Sequence, residues 1–363
     1  MDLQFWKGKK VLVTGHTGFK GSWLSLLLQQ LGAEVVGVSL PPETTPNLFE
    51  ASACADGMVS VYQDIQDARK VTVLFEEHQP EIVFHLAAQA LVRRSYDCPV
   101  ETYATNVMGT LHVLEAIRNS NSVRAAVLVT SDKCYENLEQ LHGYVESDAM
   151  GGYDPYSSSK GCAELLASSY RNSYFPNEKY STHKTAIATA RAGNVIGGGD
   201  WSQDRLIPDV LGAFAKNETV QLRSPSAIRP WQHVIEPLVG YLCLANKLYV
   251  DGEEYAEPWN FGPDACDAKP VDWVVDQLAT LWGDGANWGV DGDEHVHEAH
   301  YLKLDCTKAR TRLHWLPQWE LIEALDRIVQ WHKKFDKGED AKQLCLSQLQ
   351  EYLELVGQCY SKK

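Results

Sequence analysis

Gly15-His16-Thr17-Gly18-Phe19-Lys20-Gly21 stands between an apolar run, Val11-Leu12-Val13, and a stretch with helical spacing. No other feature constrains the fold as much. A short buried strand that ends in glycines and hands over to a helix is the opening turn of a βαβ unit. The glycines permit the tight turn, let the backbone approach a pyrophosphate, and allow the helix to pack close. The helix start adds free N–H groups and a favourable dipole. A plain strand–helix turn is the simpler alternative. The position at the head of the chain favours a dinucleotide site containing Gly15, Thr17, Gly18, Phe19 and Gly21.

The rhythm that follows agrees. Trp23, Leu24, Leu27, Leu28 and Leu31 recur at helical spacing and Gly32 closes that helix. Strands are predicted at Glu34–Ser39, Val59–Tyr62, Ile82–Leu86, Ala125–Thr130 and Ala186–Arg191. Helices are predicted at Ala68–His78, Thr102–Ser120 and Ser157–Asn172. Such alternation specifies an α/β fold, a Rossmann-like doubly wound parallel sheet. After Arg191 a glycine triplet and scattered prolines punctuate shorter elements. With 363 residues the chain has room for about two domains. The expected division is a Rossmann domain over 1–190 and a smaller C-terminal substrate-binding domain over 191–363, some of whose segments return to the sheet. The lysine-rich end reads as a tail after a last helix.

Composition excludes some partners. Lys+Arg 33 against Asp+Glu 48 leaves a net charge of −15, which disfavours nucleic acid and anionic membrane surfaces. The nine cysteines are odd in number and contain no CxxC pair, as in reduced thiols of a cytoplasmic protein. The N-terminus lacks the order of a signal peptide. Its most apolar early stretch, Leu24 to Leu31, is far shorter than the roughly 20 residues of a membrane span.

The second predicted strand ends in Ser39, where an acidic residue would hold the adenosine ribose of NAD. NADP would need a cation for its 2′-phosphate, and no Lys or Arg occurs between Lys20 and Arg69. An unpaired phosphate costs more than a lost hydroxyl contact, so NAD is the expected cofactor.

Tyr156-Ser157-Ser158-Ser159-Lys160 gives YxxxK at a helix start. Residues i and i+4 share a face, so the Lys160 ammonium can lie near the Tyr156 phenol. A cation there, helped by the positive nicotinamide of NAD, would lower a phenol of ordinary pKa about 10 toward a useful base. Tyr156 as a plain helix-start aromatic is the simpler reading. Ser131 at a strand end between loop and helix favours catalysis.

These residues resemble the extended short-chain dehydrogenase/reductases of the nucleotide-sugar branch, across essentially the whole chain. Further matches are Asp64-Ile65, His85-Leu86-Ala87-Ala88-Gln89, Thr105-Asn106-Val107-Met108-Gly109-Thr110 and Arg191-Ala192-Gly193-Asn194-Val195-Ile196-Gly197. Within the branch, four stretches resemble the CDP-glucose 4,6-dehydratase subfamily. They are the glycine loop through Trp23, Thr130 to Tyr135, Gly197 to Trp201 and Ile228 to His233.

The resemblance implies an internal redox elimination on CDP-glucose. Tyr156, with Lys160 and Ser131, would take the 4-hydroxyl proton while NAD accepts hydride from C4. Water would leave across C5 and C6, and hydride would return to C6 to give CDP-4-keto-6-deoxyglucose. Asp132 resembles the acid that protonates the departing 6-hydroxyl. Asp64, Ile65, Leu86, Ala87, Ala88 and Gln89 join the glycine loop, Tyr156 and Lys160 around NAD. Asn194, Arg205, Arg229 and Tyr301 would face the substrate.

Lys133 departs from the dTDP-glucose dehydratases, which carry a glutamate there as the C5 base. A lysine is a base only when neutral. It either fills that role or pairs with Asp132 or a substrate oxygen. Arg205 could instead form a surface salt bridge. His295, His297 and His300 suggest a metal by composition, but the proposed chemistry needs none and no metal is expected. A nucleotide-sugar 4-epimerase shares the fold, NAD, Tyr156 and Lys160, but has no use for Asp132-Lys133. An inactive NAD-binding protein is the third reading. The resemblance also implies a homodimer or homotetramer built on Thr102–Ser120 and Ser157–Asn172. It further suggests 3,6-dideoxyhexose synthesis for a lipopolysaccharide O-antigen.

Overall fold

The computed structural model describes residues 2–140, 142–283, 285–291 and 301–361. The first half runs β1 (Lys10–Thr14), α1 (Phe19–Gln30), β2 (Glu34–Ser39), α2 (Leu48–Ala51), β3 (Val59–Tyr62), α3 (Ala68–His78) and β4 (Ile82–His85). It continues with α4 (Val92–Asp97), α5 (Pro99–Tyr103), α6 (Thr110–Asn119), β5 (Ala125–Val129), α7 (Pro155–Ser173), α8 (Tyr180–His183) and β6 (Ala186–Arg191). Then come β7 (Val195–Ile196), α9 (Leu206–Ala215), β8 (Val220–Leu222), β9 (Ile228–Pro230), β10 (Gln232–His233), α10 (Ile235–Val250) and β11 (Pro258–Asn260). The chain closes with β12 (Ala268–Pro270), α11 (Val271–Trp282), β13 (Trp288–Val290), α12 (Thr307–Arg312), α13 (Leu321–Asp336) and α14 (Ala341–Ser361).

Seven strands form one sheet in the order β11-β6-β5-β4-β1-β2-β3, every pair parallel. Helices cover both faces, so β4, β5 and β6 are buried at every residue and are mostly apolar. Chain direction across the sheet reverses between β4 and β1. In a doubly wound sheet the crevice beyond the carboxyl ends at that point is where ligands bind.

The expected helix over Thr102–Ser120 is not continuous. It consists of α5, a π-helical stretch Ala104–Gly109, and α6. The wider turn aims Asn106 inward, where its amide donates to the Gln89 carbonyl at 3.0 Å and to Ser159 Oγ at 2.8 Å. Helix α7 also starts earlier than periodicity indicates. Pro155 occupies its first turn and the Asp154 carboxylate caps it by accepting from the Ser157 N–H at 2.9 Å.

The chain beyond Arg191 serves both lobes. Ile207, Val210, Phe214, Val274, Leu278 and Ile328 belong to a separate core under α9, α11 and α13. Strand β11 instead extends the main sheet beside β6, and α10 and α14 pack into its principal core. Trp23 on α1 donates to the Gly198 carbonyl at 3.0 Å, tying the first helix to the glycine triplet. Among the described residues no helix is long and apolar enough to cross a membrane.

Candidate active site

The glycine loop has the form its spacing requires. Gly15 lies at φ +78°, and a Cβ there would sit 2.7 Å from the Ala87 nitrogen. A Cβ on Gly21 would come within 2.0 Å of the Gly15 carbonyl oxygen, so α1 can approach only a glycine. Gly18, the N-cap of α1, is exposed and supplies no side chain to the first-turn N–H groups. No side chain of the N-cap competes there with a pyrophosphate for the first-turn donors. Thr17 Oγ1 meets Ser39 Oγ at 2.8 Å and donates to the Leu40 carbonyl at 2.9 Å, so β2 ends in a neutral hydroxyl pair. The Phe19 ring edge approaches Gly197 of the second lobe.

The motifs on either side interlock. Thr14 Oγ1 accepts from the Leu86 and Ala87 N–H groups at 3.1 Å each and contacts His85 Nδ1 at 2.7 Å. His85 Nε2 reaches Thr110 Oγ1 at 2.9 Å. Burial, and secondarily Lys160, pushes the His85 imidazole down to about 3, so it is neutral. Ala88 follows, half-buried. The Gln89 side chain donates to Leu91 O and Thr102 Oγ1 and accepts from the Leu91 N–H, which leaves one acceptor position on its amide oxygen. Asp64 turns back to accept from the Gln66 N–H at 2.8 Å, while Ile65 is buried against Gly109.

Ser131, Asp132 and Tyr156 come together, and Lys160 lies one helical turn beyond Tyr156 on α7. Ser131 Oγ donates to Asp132 Oδ1 at 3.0 Å and receives the Lys133 N–H at 3.2 Å, and the Tyr156 phenol lies near it. Burial outweighs the influence of Ser131 and pushes Tyr156 up to about 12. The chain alone therefore does not produce the lowered phenol pKa expected from YxxxK. Lys160 is also buried, its ammonium donating to the Val129 carbonyl at 3.3 Å, and desolvation pushes it down to about 8. Asp132 Oδ2 is buried without a hydrogen-bond partner, close over Gly193. A buried carboxylate oxygen left open in a cleft is ready for a donor from a ligand. Lys133 is half-buried, and among the described residues it forms no ion pair with Asp132, which is held by Ser131 instead.

Two site residues escaped the sequence reading. Lys20, within the glycine loop, reaches Tyr241 Oη on α10 at 3.3 Å. Desolvation, with Lys160 and Arg205 nearby, pushes the Lys20 ammonium down to about 7. A lysine inside a loop built for close backbone approach was the available signal. Tyr241 had none, because α10 lies far along the chain and its buried faces read as plain core. Of the substrate candidates, Arg205 pairs with Asp200 at 3.1 Å and its charge reaches Tyr156. Asn194 has a left-handed φ of 37° and gives its carbonyl to the Gln232 N–H. Arg229 is buried and donates to the Ile228 carbonyl at 3.0 Å, while Tyr301 bridges to Ile228. His295, His297 and His300 lie outside the described residues. Among the described residues no group of three His, Cys, Asp or Glu is placed to hold a metal.

A model of the GDP-mannose 4,6 dehydratase family matches residues 12–245, from β1 into α10. The chain is 55% identical over 353 residues to the CDP-glucose 4,6-dehydratase of Salmonella typhimurium, covering 97% of this chain and 98% of that relative.

The chain belongs to the GDP-mannose 4,6 dehydratase family.

The nucleotide-sugar resemblance carried by the motifs is thereby borne out. A more distant relative is the dTDP-glucose 4,6-dehydratase of Xanthomonas campestris, 25% identical over 88% of this chain and 92% of that protein. Among solved structures, dTDP-glucose 4,6-dehydratase from Bacillus anthracis in complex with NAD superposes with a TM-score of 0.74 at 22% identity. That match covers 93% of this chain and 100% of the other. UDP-glucose 4-epimerase from Thermotoga maritima with UDP-glucose gives 0.76 at 22%, over 90% and 99%. Dehydratase and epimerase thus share this family's fold, and fold alone does not separate them.

Proposed function

We propose that this protein converts CDP-D-glucose to CDP-4-keto-6-deoxy-D-glucose and water, a hydro-lyase reaction that uses NAD catalytically. The observation that carries this reading is the 55% identity to a CDP-glucose 4,6-dehydratase over nearly the full length of both chains. The site supports it. The open N-terminus of α1 at Gly18 suits a pyrophosphate, and the hydroxyl pair Thr17–Ser39 offers no cation for a 2′-phosphate. NAD, when bound, supplies the acceptor for the C4 hydride and its donor to C6. Gly15, Thr17, Gly18, Phe19, Gly21, Asp64, Ile65, Leu86, Ala87, Ala88, Gln89, Tyr156 and Lys160 would hold it.

The chain's own groups divide the proton work. Tyr156 takes the 4-hydroxyl proton, with the Ser131 hydroxyl bridging phenol and substrate. Lys160, one helical turn on, supplies positive charge that favours the phenolate. Oxidation at C4 makes the C5 proton acidic, and Lys133, free of Asp132, is placed in sequence to remove it. Asp132, once it carries the proton released from the 4-hydroxyl, gives it to the leaving 6-hydroxyl through the oxygen that no protein group occupies, and the proton held by Lys133 returns to C5 as hydride reaches C6. Asn194, Arg205, Arg229 and Tyr301 hold the nucleotide sugar. The epimerase alternative needs neither Asp132 nor Lys133.

Incubation with CDP-glucose deuterated at C4, mixed with an equal amount carrying carbon-13 but no deuterium, tests the reading. Mass spectrometry should find loss of water, with deuterium at C6 and none in the carbon-13 product. Deuterium kept at C4 of an inverted, undehydrated sugar would establish the epimerase instead. We further infer a cytoplasmic enzyme, supported by the absence of disulfides among the described cysteines. A homo-oligomer is supported by the exposed apolar Met108 beside α6 and Leu165 on α7. A place in 3,6-dideoxyhexose synthesis for O-antigen fits the proposed product.

A further inference from the structure

Gly197-Gly198-Gly199-Asp200-Trp201, between β7 and α9, is clamped from three sides. The Gly198 carbonyl accepts from Trp23 Nε1 on α1 at 3.0 Å. A Cβ on Gly198 would lie 2.3 Å from the Trp331 ring on α13. One on Gly199, at φ +80°, would lie 2.6 Å from Leu48 on α2. The Trp201 ring is seated against Trp331 and Phe335, with centroids 5.8 and 5.4 Å apart. Glycines let the segment reach these walls at backbone distance, and the walls then hold it in one place.

What the clamp presents is a carboxylate. Asp200 is 4% exposed. Its Oδ1 accepts from the Ser202 N–H at 3.0 Å, and its Oδ2 accepts from Arg205 Nη1 at 3.1 Å. The His332 imidazole also faces Asp200, but burial pushes it down to about 4, so it is neutral and leaves the countercharge to Arg205. The Arg205 side chain is 34% exposed at the N-cap of α9. A long side chain that open to solvent samples many rotamers unless a fixed partner holds it. Asp200 is that partner.

The groups around the Tyr156 phenol come from four elements. Asp132 follows β5, Asp154 caps α7, Tyr241 lies on α10 and Arg205 precedes α9. The two carboxylates oppose ionisation of the phenol and Arg205 favours it. Arg205 also acts on Lys20 of α1. The Lys160 ammonium, by contrast, is turned to the Val129 carbonyl.

We infer that Asp200 is a positioning residue, which holds the Arg205 guanidinium toward the Tyr156 phenol so that Arg205 joins Lys160 in stabilising the phenolate. This rests on the CDP-glucose reading, in which Tyr156 takes the 4-hydroxyl proton. The glycine triplet and Trp201 serve the same end, because a carboxylate on a looser turn could not fix so open an arginine. A plain loop staple would use the same ion pair, and an arginine that only grips substrate would use the same guanidinium. A staple alters stability, a grip alters KM, and positioning alters the ionisation of Tyr156.

The test uses the NAD-loaded full-length enzyme and follows turnover of CDP-glucose against pH. Ionisation of Tyr156 is read separately, without substrate, as the phenolate absorbance that Tyr156→Phe removes in each background. Asp200→Asn keeps an acceptor for the Ser202 N–H and removes the charge that holds Arg205. It should move the rising limb of kcat and the Tyr156 ionisation upward by roughly one pH unit, with kcat falling more than KM rises. Loss of an anion by itself would move a nearby phenol downward, so an upward shift belongs to Arg205. Arg205→Met should give the same shift, the double variant no more, and Arg205→Lys should recover part of it. An Asp200→Asn enzyme whose Tyr156 ionisation stays in place or moves down overturns the positioning role, as does an Arg205→Met enzyme that changes KM alone. A wild type that forms no 4-keto sugar from CDP-glucose overturns the substrate reading instead.

Discussion

Glu164 and Arg191 form a fully buried, two-pronged ion pair under the reacting groups. Arg191 Nε donates to Glu164 Oε1 at 2.9 Å and Nη2 donates to Oε2 at 2.8 Å. Glu164 stands one turn beyond Lys160 on α7, and Arg191 ends β6. The same carboxylate accepts from Thr130 and Thr189, while Arg191 Nη1 donates to Tyr135 Oη at 2.7 Å. The pair therefore fixes both ends of the Ser131–Asp132–Lys133 turn to the helix that carries Tyr156. Glu164→Ala should cost about 3–5 kcal/mol, because it leaves a buried guanidinium uncompensated. Urea unfolding measures this, and adding Arg191→Met should recover much of the loss. A single variant near wild-type stability would remove the pair from any account of this fold.

Tyr156→Phe should lower turnover by about 10²–10⁴ while leaving the circular dichroism spectrum unchanged. The phenol is buried and its ring is kept in Phe, so the fold should persist. Turnover near wild type would assign the 4-hydroxyl proton to another group.

Lys133→Met should still oxidise C4 but no longer exchange the C5 proton with solvent deuterium. The ion pair that would make Lys133 structural is not formed, since Asp132 is bound by Ser131. Nuclear magnetic resonance of CDP-glucose incubated in heavy water reads the exchange. A wild-type exchange rate would leave Lys133 an electrostatic role only.

Glu236 gives the protein a pH-dependent joint. Its carboxylate accepts from the Gln318 and Trp319 N–H groups and from Tyr352 on α14, yet burial outweighs these donors and pushes the carboxyl up to about 7. A folded-state pKa above the unfolded value means the native state binds more protons between the two. Stability from this group is then present below about 4.5 and is lost as pH rises to about 7. At about 1.4 kcal/mol per pH unit the full effect is about 3 kcal/mol. Glu236→Gln should flatten that part of the curve, measured as the difference in unfolding free energy between variant and wild type from pH 4.5 to 7.5. Parallel curves would show that Glu236 does not titrate in this window.

The sequence by itself determined the main sheet and the reacting groups. Strands β2, β3 and β6 and helix α3 lie where apolar runs, periodicity and turn residues put them, because each is fixed by contacts within a few residues and, for β6, by burial on both faces of a parallel sheet. Gly15 and Gly21 were legible for the same reason, as positions where the backbone admits no side chain. The YxxxK spacing brought Tyr156 and Lys160 onto one helix face, though not the phenol's high pKa, which burial sets. Only the tertiary structure decided the rest. It alone turned Thr102–Ser120 into a π-helical stretch that sends Asn106 to Gln89 and Ser159. It returned β11 to the sheet, set Lys20 against Tyr241, and closed Gly198 and Gly199 onto Trp23, Trp331 and Leu48. These contacts join residues far apart in the chain, and their energies depend on desolvation and fixed geometry, neither of which local periodicity encodes.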